Sequence, residues 1–260
     1  SFAFIQVARI EWKKCGAQSP AAVMEEFLKW YDPDHIRIHL DHIPVIDEDN
    51  QKVDFLSIIQ EAIELGYQSV MVDGSRLDFE SNIEATRQAV KLAHQAGIPC
   101  EAELGAVLGH ENGPLPAYEE LFESGIGFTD VEEARRFVQE TGCDWLSVAV
   151  GNIHGAISGM LKDRKKVEAR LNIDHLERLK NATGIPLVLH GGSRIKREDL
   201  LSAIKKGIAK VNIGTEIRQA YEATLKKTGS VCLAKDAVYD RTLWLICDYL
   251  GMAETRKLVA

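Results

Sequence analysis

The sequence has little that would tie it to an oxidising compartment, a membrane or a nucleic acid. Its five cysteines, Cys15, Cys100, Cys143, Cys232 and Cys247, are odd in number and form no C-x-x-C pair. That pattern suits neither a disulfide framework nor a structural zinc site and predicts a reduced, cytoplasmic protein. No apolar run reaches the roughly 18 residues of a membrane span, and Ser1 to Ile5 lacks the basic region of a signal peptide. Basic charge is in deficit: 31 Lys and Arg stand against 39 Asp and Glu, a net charge of −8. A nucleic-acid or anionic-membrane surface needs the opposite balance, although a local cationic pocket for a small anion stays open. An initiator Met is also lacking, and the chain starts inside an apolar run. The expectation is that a segment precedes Ser1.

What is present suits one α/β domain spanning residues 1–260. The length of 260 residues matches a single α/β barrel, and the 45% hydrophobic and 27% charged fractions are those of an ordinary globular core and surface. Short apolar runs recur at 2–7, 36–40, 69–72, 100–104, 145–150, 186–189 and 210–213. Continuous runs of this kind suit strands buried on both faces. Between them, 21–30, 55–65, 83–95, 131–141, 173–182 and 197–206 carry apolar residues at helical spacing. Asp130 with Glu133 reads as a helix start and Gly142 as its stop. The alternation predicts a parallel sheet with right-handed crossovers. After Thr215 the chain reads as helices.

The polar residues choose between an open sheet and a barrel. Asp41-His42, Asp73-Gly74-Ser75, Glu103, Gly151 to His154, His190 to Ser193 and Asn212 to Thr215 all end predicted strands. An open sheet concentrates its site at one switch point, whereas a barrel gathers every strand end around one mouth. Six contributing strands favour a (β/α)8 TIM barrel whose first β-α unit is absent from this chain.

Three histidines, His42, His154 and His190, each follow a different predicted strand. Barrel geometry would bring them together, and three imidazoles with an open fourth position match a catalytic zinc or similar divalent site. Any one of them alone reads better as an ordinary core or loop residue. His39 is the weaker ligand candidate, and His35, His94 and His175 read as solvated. Asp41 is either a strand-end cap or a general acid/base, and Glu103 is an acidic partner or an orienter of a metal-bound histidine. Glu111, in the loop Gly109 to Pro114 with His110, is either a solvated charge or a mobile base. Gly191, Gly192 and Ser193, and Asn212, Gly214 and Thr215, follow the last two strands, where barrels bind phosphate on backbone N–H groups.

The strings His39-Leu40-Asp41-His42, Ser69 to Ser75, Glu101-Ala102-Glu103-Leu104-Gly105, Gly151-Asn152-Ile153-His154-Gly155, Leu189-His190-Gly191-Gly192-Ser193 and Lys210 to Glu216 together resemble class II fructose-bisphosphate and tagatose-bisphosphate aldolases. The likeness runs in order from about residue 35 to residue 220. It implies a catalytic Zn2+ on His42, His154 and His190, with Glu103 a conserved acid near the metal. It makes Asp41 the acid/base at the C4 oxygen and Glu111 the loop base at C3. Gly155, Gly191, Ser193, Asn212 and Thr215 would hold dihydroxyacetone phosphate, with a monovalent cation (Na+ or K+) nearby. It also implies a homodimer or homotetramer acting on a sugar phosphate.

The departures sit at one end of the site. Ala8 stands where the family carries serine, Arg194 replaces a usual glycine, and 43–52 and 156–170 are longer than in the common enzymes. The basic residues of the second insertion read as a solvated face. A non-standard aldehyde is the resulting expectation. The competing classes are a metal-dependent isomerase or hydrolase, which leaves the phosphate loops unexplained, and a non-catalytic relative, against which the retained histidines and Asp41 speak.

Overall fold

The computed structural model describes residues 3–14, 16–105, 118–153 and 168–255. Seven strands, β1 (Ala3–Ala8), β2 (Ile36–Pro44), β3 (Val70–Asp73), β4 (Cys100–Leu104), β5 (Trp145–Val148), β6 (Leu187–Leu189) and β7 (Ile208–Val211), form one sheet in chain order. Every neighbouring pair is parallel, as the alternation predicts. All seven predicted runs become strands, with ends shifted by a few residues.

The crossovers are helices α1 (Arg9–Lys14), α2 (Pro20–Leu28), α3 (Phe55–Leu65), α4 (Phe79–Gln95), α5 (Tyr118–Ser124), α6 (Val131–Thr141), α7 (Ile173–Thr183) and α8 (Arg197–Lys205). The chain then continues as α9 (Thr215–Thr228), α10 (Val231–Trp244) and a π-helical turn over Leu245–Tyr249. Local chemistry sets several ends. The Asp130 carboxylate accepts from the Glu132 and Glu133 amides, and Gly142 closes α6 in the left-handed region at φ 69°. Helix α4 starts four residues before the periodic pattern, because Asp78 caps it by accepting from Ser81 N. Helices α1 and α5 carry too few buried positions to show a period.

The sheet splits the chain's two kinds of buried residue between its faces. On β2, Ile38 and Leu40 alternate with His39 and Asp41; on β4, Cys100, Ala102 and Leu104 alternate with Glu101 and Glu103, all of them buried. The apolar set packs with Ile59, Ile83, Ala89, Phe137, Leu176, Leu179 and Leu200 of the helices, and removing that area from water supplies the main folding force. The polar set turns to the concave side. There the sheet must curl. Asp41 and Asn212 stand at the ends of β2 and β7, five strand positions apart, which a flat sheet would separate by about 24 Å. Their side chains meet at 3.1 Å. Likewise Lys210 of β7 reaches Glu101 of β4 at 2.7 Å. Among the described residues β1 and β7 do not pair with each other, so the sheet is a curled, open part-barrel.

Three sequence expectations change. His175 is not solvated: its Nε2 bonds Thr129 O at 2.7 Å. His35 is half-buried and paired with Asp32. Arg170 is no solvated charge either, since its guanidinium lies 4.4 Å above the Phe122 ring and pairs with Glu119.

Candidate active site

Two adjacent residues of a regular strand point to opposite faces, yet Asp41 and His42 both enter the mouth. The register between β2 and β3 explains this. Leu40 pairs with Val70 and Ile43 with Val72, so three steps on β2 oppose two on β3. This is a bulge, and His42 takes the left-handed conformation at φ 41°. The extra residue rotates His42 onto the face already occupied by Asp41.

His42 Nε2 lies 2.5 Å from His190 Nδ1, the rings standing nearly edge to face. The other nitrogen of each ring faces a carboxylate. His42 Nδ1 is 3.3 Å from Asp73 Oδ2, and His190 Nε2 is 2.9 Å from Glu101 Oε1. Carboxylates that orient imidazoles in this way turn the opposite nitrogens toward one point, the arrangement found behind metal-binding histidines. Glu103 completes the group. Its Oε2 is 3.5 Å from His190 Nδ1 and 3.8 Å from His42 Nδ1. One ligand atom from each of His42, Glu103 and His190 lies within 4.8 Å of the others.

The electrostatics favour a cation here. Burial opposes a charge on His42, but the Asp73 bond and the neighbouring Asp41 and Glu103 outweigh it and push the imidazole up to about 10. Burial and the His42 charge together depress His190. Burial, with Asp73 beside it, holds Glu103 well above the usual carboxylate range. Its Oε2 is buried and makes no hydrogen bond. Three buried carboxyl groups, Asp41, Glu101 and Glu103, and the half-buried Asp73 thus crowd one mouth. Two imidazole nitrogens and an unbonded carboxyl oxygen, ringed by further carboxylates, could hold a divalent ion. A second cluster, His39, Asp41 and Glu101, is already served by a cation: Lys210 Nζ lies 2.7 Å from Glu101 and 3.7 Å from Asp41.

Asp41 is not a local cap, for its Oδ1 accepts from Asn212 Nδ2 across the mouth. Although burial disfavours its charge, Lys210 and the His39 bond hold its carboxyl well below the usual range. His39 itself is fully buried and bonded through Nδ1 to Ser69 Oγ at 2.8 Å.

The two late loops meet beside this cluster. Gly192 N donates to Asn212 O at 2.9 Å. A Cβ at Gly192 would stand 2.5 Å from Val211 Cγ1, so only glycine fits. Gly191 takes φ 64°, and Arg194, three residues on, is also left-handed at φ 61°, the conformation a glycine would hold without strain. Ser193 is buried and its Oγ accepts from Glu216 N at 3.4 Å. Gly214 precedes α9 and Thr215 is its first residue. His154, Glu111, His110 and Gly155 lie outside the described residues. Asn152 is anchored, its amide donating to His190 O at 3.0 Å.

Glu101, Lys210 and Asp73 stand in the strand-end and family strings of the sequence but are given no role there. The signal was there in part: carboxylates at 101 and 103 share a strand face, and so do Lys210 and Asn212.

The profile of the family described as Fructose-bisphosphate aldolase class-II matches residues 1–258. The crystal structure of the YdjI aldolase from Escherichia coli K12 is similar, with a TM-score of 0.73 and 31% identity, covering 98% of this chain and 84% of that one. In sequence, YdjI is 44% identical over 172 residues, 66% of this chain and 57% of the relative. A fructose-bisphosphate aldolase of Streptococcus pneumoniae is 38% identical over 207 residues, 79% of this chain and 61% of the relative. The matches therefore span about three fifths of the length of these curated relatives. With histidines, acids and glycine loops arrayed on a curled parallel sheet and a family profile spanning nearly every residue, the chain belongs to the class-II fructose-bisphosphate aldolase family.

Proposed function

We propose that the protein is a divalent-metal aldolase, with Zn2+ as its ion, that reversibly cleaves a ketose phosphate into dihydroxyacetone phosphate and an aldehyde. The observation that carries this reading is the placement of Asp41, ionised and aimed by Asn212, beside the facing nitrogens of His42 and His190. His42, His190 and, from the family resemblance, His154 would hold the ion, with Glu103 an alternate or neighbouring ligand. When bound, a divalent cation supplies Lewis-acid stabilisation of the negative charge that develops on the substrate's oxygens.

The chain's own residues then share the proton work and the binding. Asp41 takes the proton of the C4 hydroxyl as the C3–C4 bond breaks, and Asn212 keeps its carboxylate on that hydroxyl. Glu111 returns a proton to C3. Backbone N–H groups of Gly155, Gly191 and Ser193, with Gly214, Thr215 and the positive N-terminal end of the 14-residue helix α9, bind the phosphate, while Gly192 holds the loop against Asn212. A Na+ or K+ ion beside that phosphate, a homodimeric or homotetrameric assembly and a cytoplasmic location belong to the same reading. So does an eighth strand between β1 and β7, which would complete a (β/α)8 barrel in one domain.

The aldehyde end supports a substrate other than fructose 1,6-bisphosphate. Beside the mouth, Ala8 ends β1, and the longer segment after β2 is tied back by Arg9–Asp47 at 3.2 Å and Lys14–Glu48 at 2.7 Å. Purified protein loaded with Zn2+ is assayed for dihydroxyacetone phosphate release from a panel of ketose phosphates, and for solvent hydrogen exchange into dihydroxyacetone phosphate alone. Exchange with cleavage of at least one ketose supports the reading. Exchange absent in the Zn2+-loaded protein contradicts the aldolase assignment, and fructose 1,6-bisphosphate far ahead of every other ketose contradicts the altered aldehyde.

A further inference from the structure

We propose that Lys210 is a positioning residue of the metal centre, acting through Glu101 on His190. The inference rests on reading His42 and His190 as metal ligands and adds a residue that touches neither the ion nor the substrate.

A single buried carboxylate joins the two ends. Glu101 Oε2 accepts from Lys210 Nζ at 2.7 Å, and its Oε1 faces His190 Nε2 at 2.9 Å. Glu101 and the His190 side chain are fully buried, and the Lys210 side chain is 8% exposed. With one oxygen pinned by the ammonium, the carboxylate plane is fixed and the other oxygen meets the imidazole. A carboxylate only accepts, so the nitrogen facing it carries the hydrogen, and Nδ1 is left with its lone pair toward His42 and Glu103. The Asn212 amide also lies 3.0 Å from His190 Nε2, but it cannot reverse this choice. A lone pair set against a carboxylate oxygen at 2.9 Å would be repulsive, whereas N–H against that oxygen is a charge-assisted bond. Asn212 instead donates to Asp41. Lys210 and Asn212 sit two apart after and along β7 and so share a face. One short segment therefore steers a ligand histidine through Glu101 and aims the acid/base through Asn212.

The test is a double-substitution cycle read as Zn2+ affinity, by chelator competition, in the full chain. The forms are the unsubstituted protein, Glu101→Gln, Lys210→Met, and the two together. Each single substitution is expected to weaken binding by about 10- to 100-fold, the usual effect of losing an orienting partner. The double is expected to bind no more weakly than the weaker single, because both act along one path. The visible spectrum of the Co2+-loaded forms reports the same change in ligand geometry, which a general loss of stability would not produce. A double equal to the product of the singles, or a Lys210→Met protein with unchanged affinity, overturns the role. Lys210→Met leaves a buried carboxylate without its cation, so it can fail to fold. The comparison of Glu101→Gln with the double then decides: no further loss supports the role, and a further drop of about tenfold or more overturns it. Failure of the unsubstituted protein to take up Zn2+ overturns the metal-site reading, and this role with it, whereas uptake indifferent to both substitutions overturns the role alone.

Discussion

His42 Nε2 and His190 Nδ1 meet at 2.5 Å although 148 residues separate them in the chain. His42 sits in the bulge near the end of β2 and His190 just after β6, both on the concave side of one curled sheet, and each is turned by a carboxylate behind it. If this pair holds Zn2+, the ion links distant strands and binding adds to folding stability. At 100 times Kd the gain is about 2.7 kcal/mol. Thermal melts with and without Zn2+ check this: the unsubstituted protein is expected to shift upward, and His190→Ala and His154→Ala to lose most of the shift.

Asp41→Asn separates chemistry from metal binding. The amide keeps the size and a bond with Asn212 after a flip, but it cannot take a proton. Turnover is expected to fall about 10²- to 10⁴-fold, with Zn2+ affinity changed by no more than a few fold. A loss of both together would make Asp41 a ligand and not the acid/base.

The high proton affinity of His42 makes metal uptake pH-dependent. The ion must displace the proton that the Asp73 bond and the surrounding carboxylates hold on the ring against burial, up to about pH 10. Apparent Zn2+ affinity is expected to rise about tenfold per unit from about pH 6 to about pH 8 on this account alone. In the metal-free protein the sign is opposite. A folded value raised above the ordinary 6.5 gives stability that is complete below pH 6.5 and is lost as the pH climbs through about 10. Competition titrations and melts at stepped pH read the two slopes.

Gly192→Ala tests the late loops. Its Cβ would meet Val211 Cγ1 at 2.5 Å and Asn212 O at 2.9 Å, so the loop must move off β7. A destabilisation of about 1–3 kcal/mol is expected, with a rise in KM for the phosphorylated substrate. Denaturant melts and steady-state kinetics measure both.

What the sequence makes legible follows from periodicity. The seven strands and six of the helices repeat at spacings that a window can register, and strand-end polar residues stand out against apolar runs. The bulge at His42 does not register, because it depends on how β2 pairs with β3 and not on any residue type nearby. In a regular strand Asp41 and His42 would face opposite ways, and reading both at the mouth from their place at a strand end gave no account of how they share one face. Lys210 and Glu101 were hidden for a different reason. Glu101 lies within one predicted strand run and Lys210 at the start of another, where a charge suggests an exposed face, and their pairing needs the curl that brings β4 and β7 together. Helix α1, with no buried residue, offers no pattern at all.

The proposed chemistry depends on one ion between His42 and His190. A crystal structure of the Zn2+-loaded protein, with the ion located by anomalous scattering, tests it most directly. One site is expected, with Zn2+ about 2 Å from both His42 Nε2 and His190 Nδ1. A strong anomalous peak elsewhere, with these two nitrogens still facing each other unligated, would contradict it.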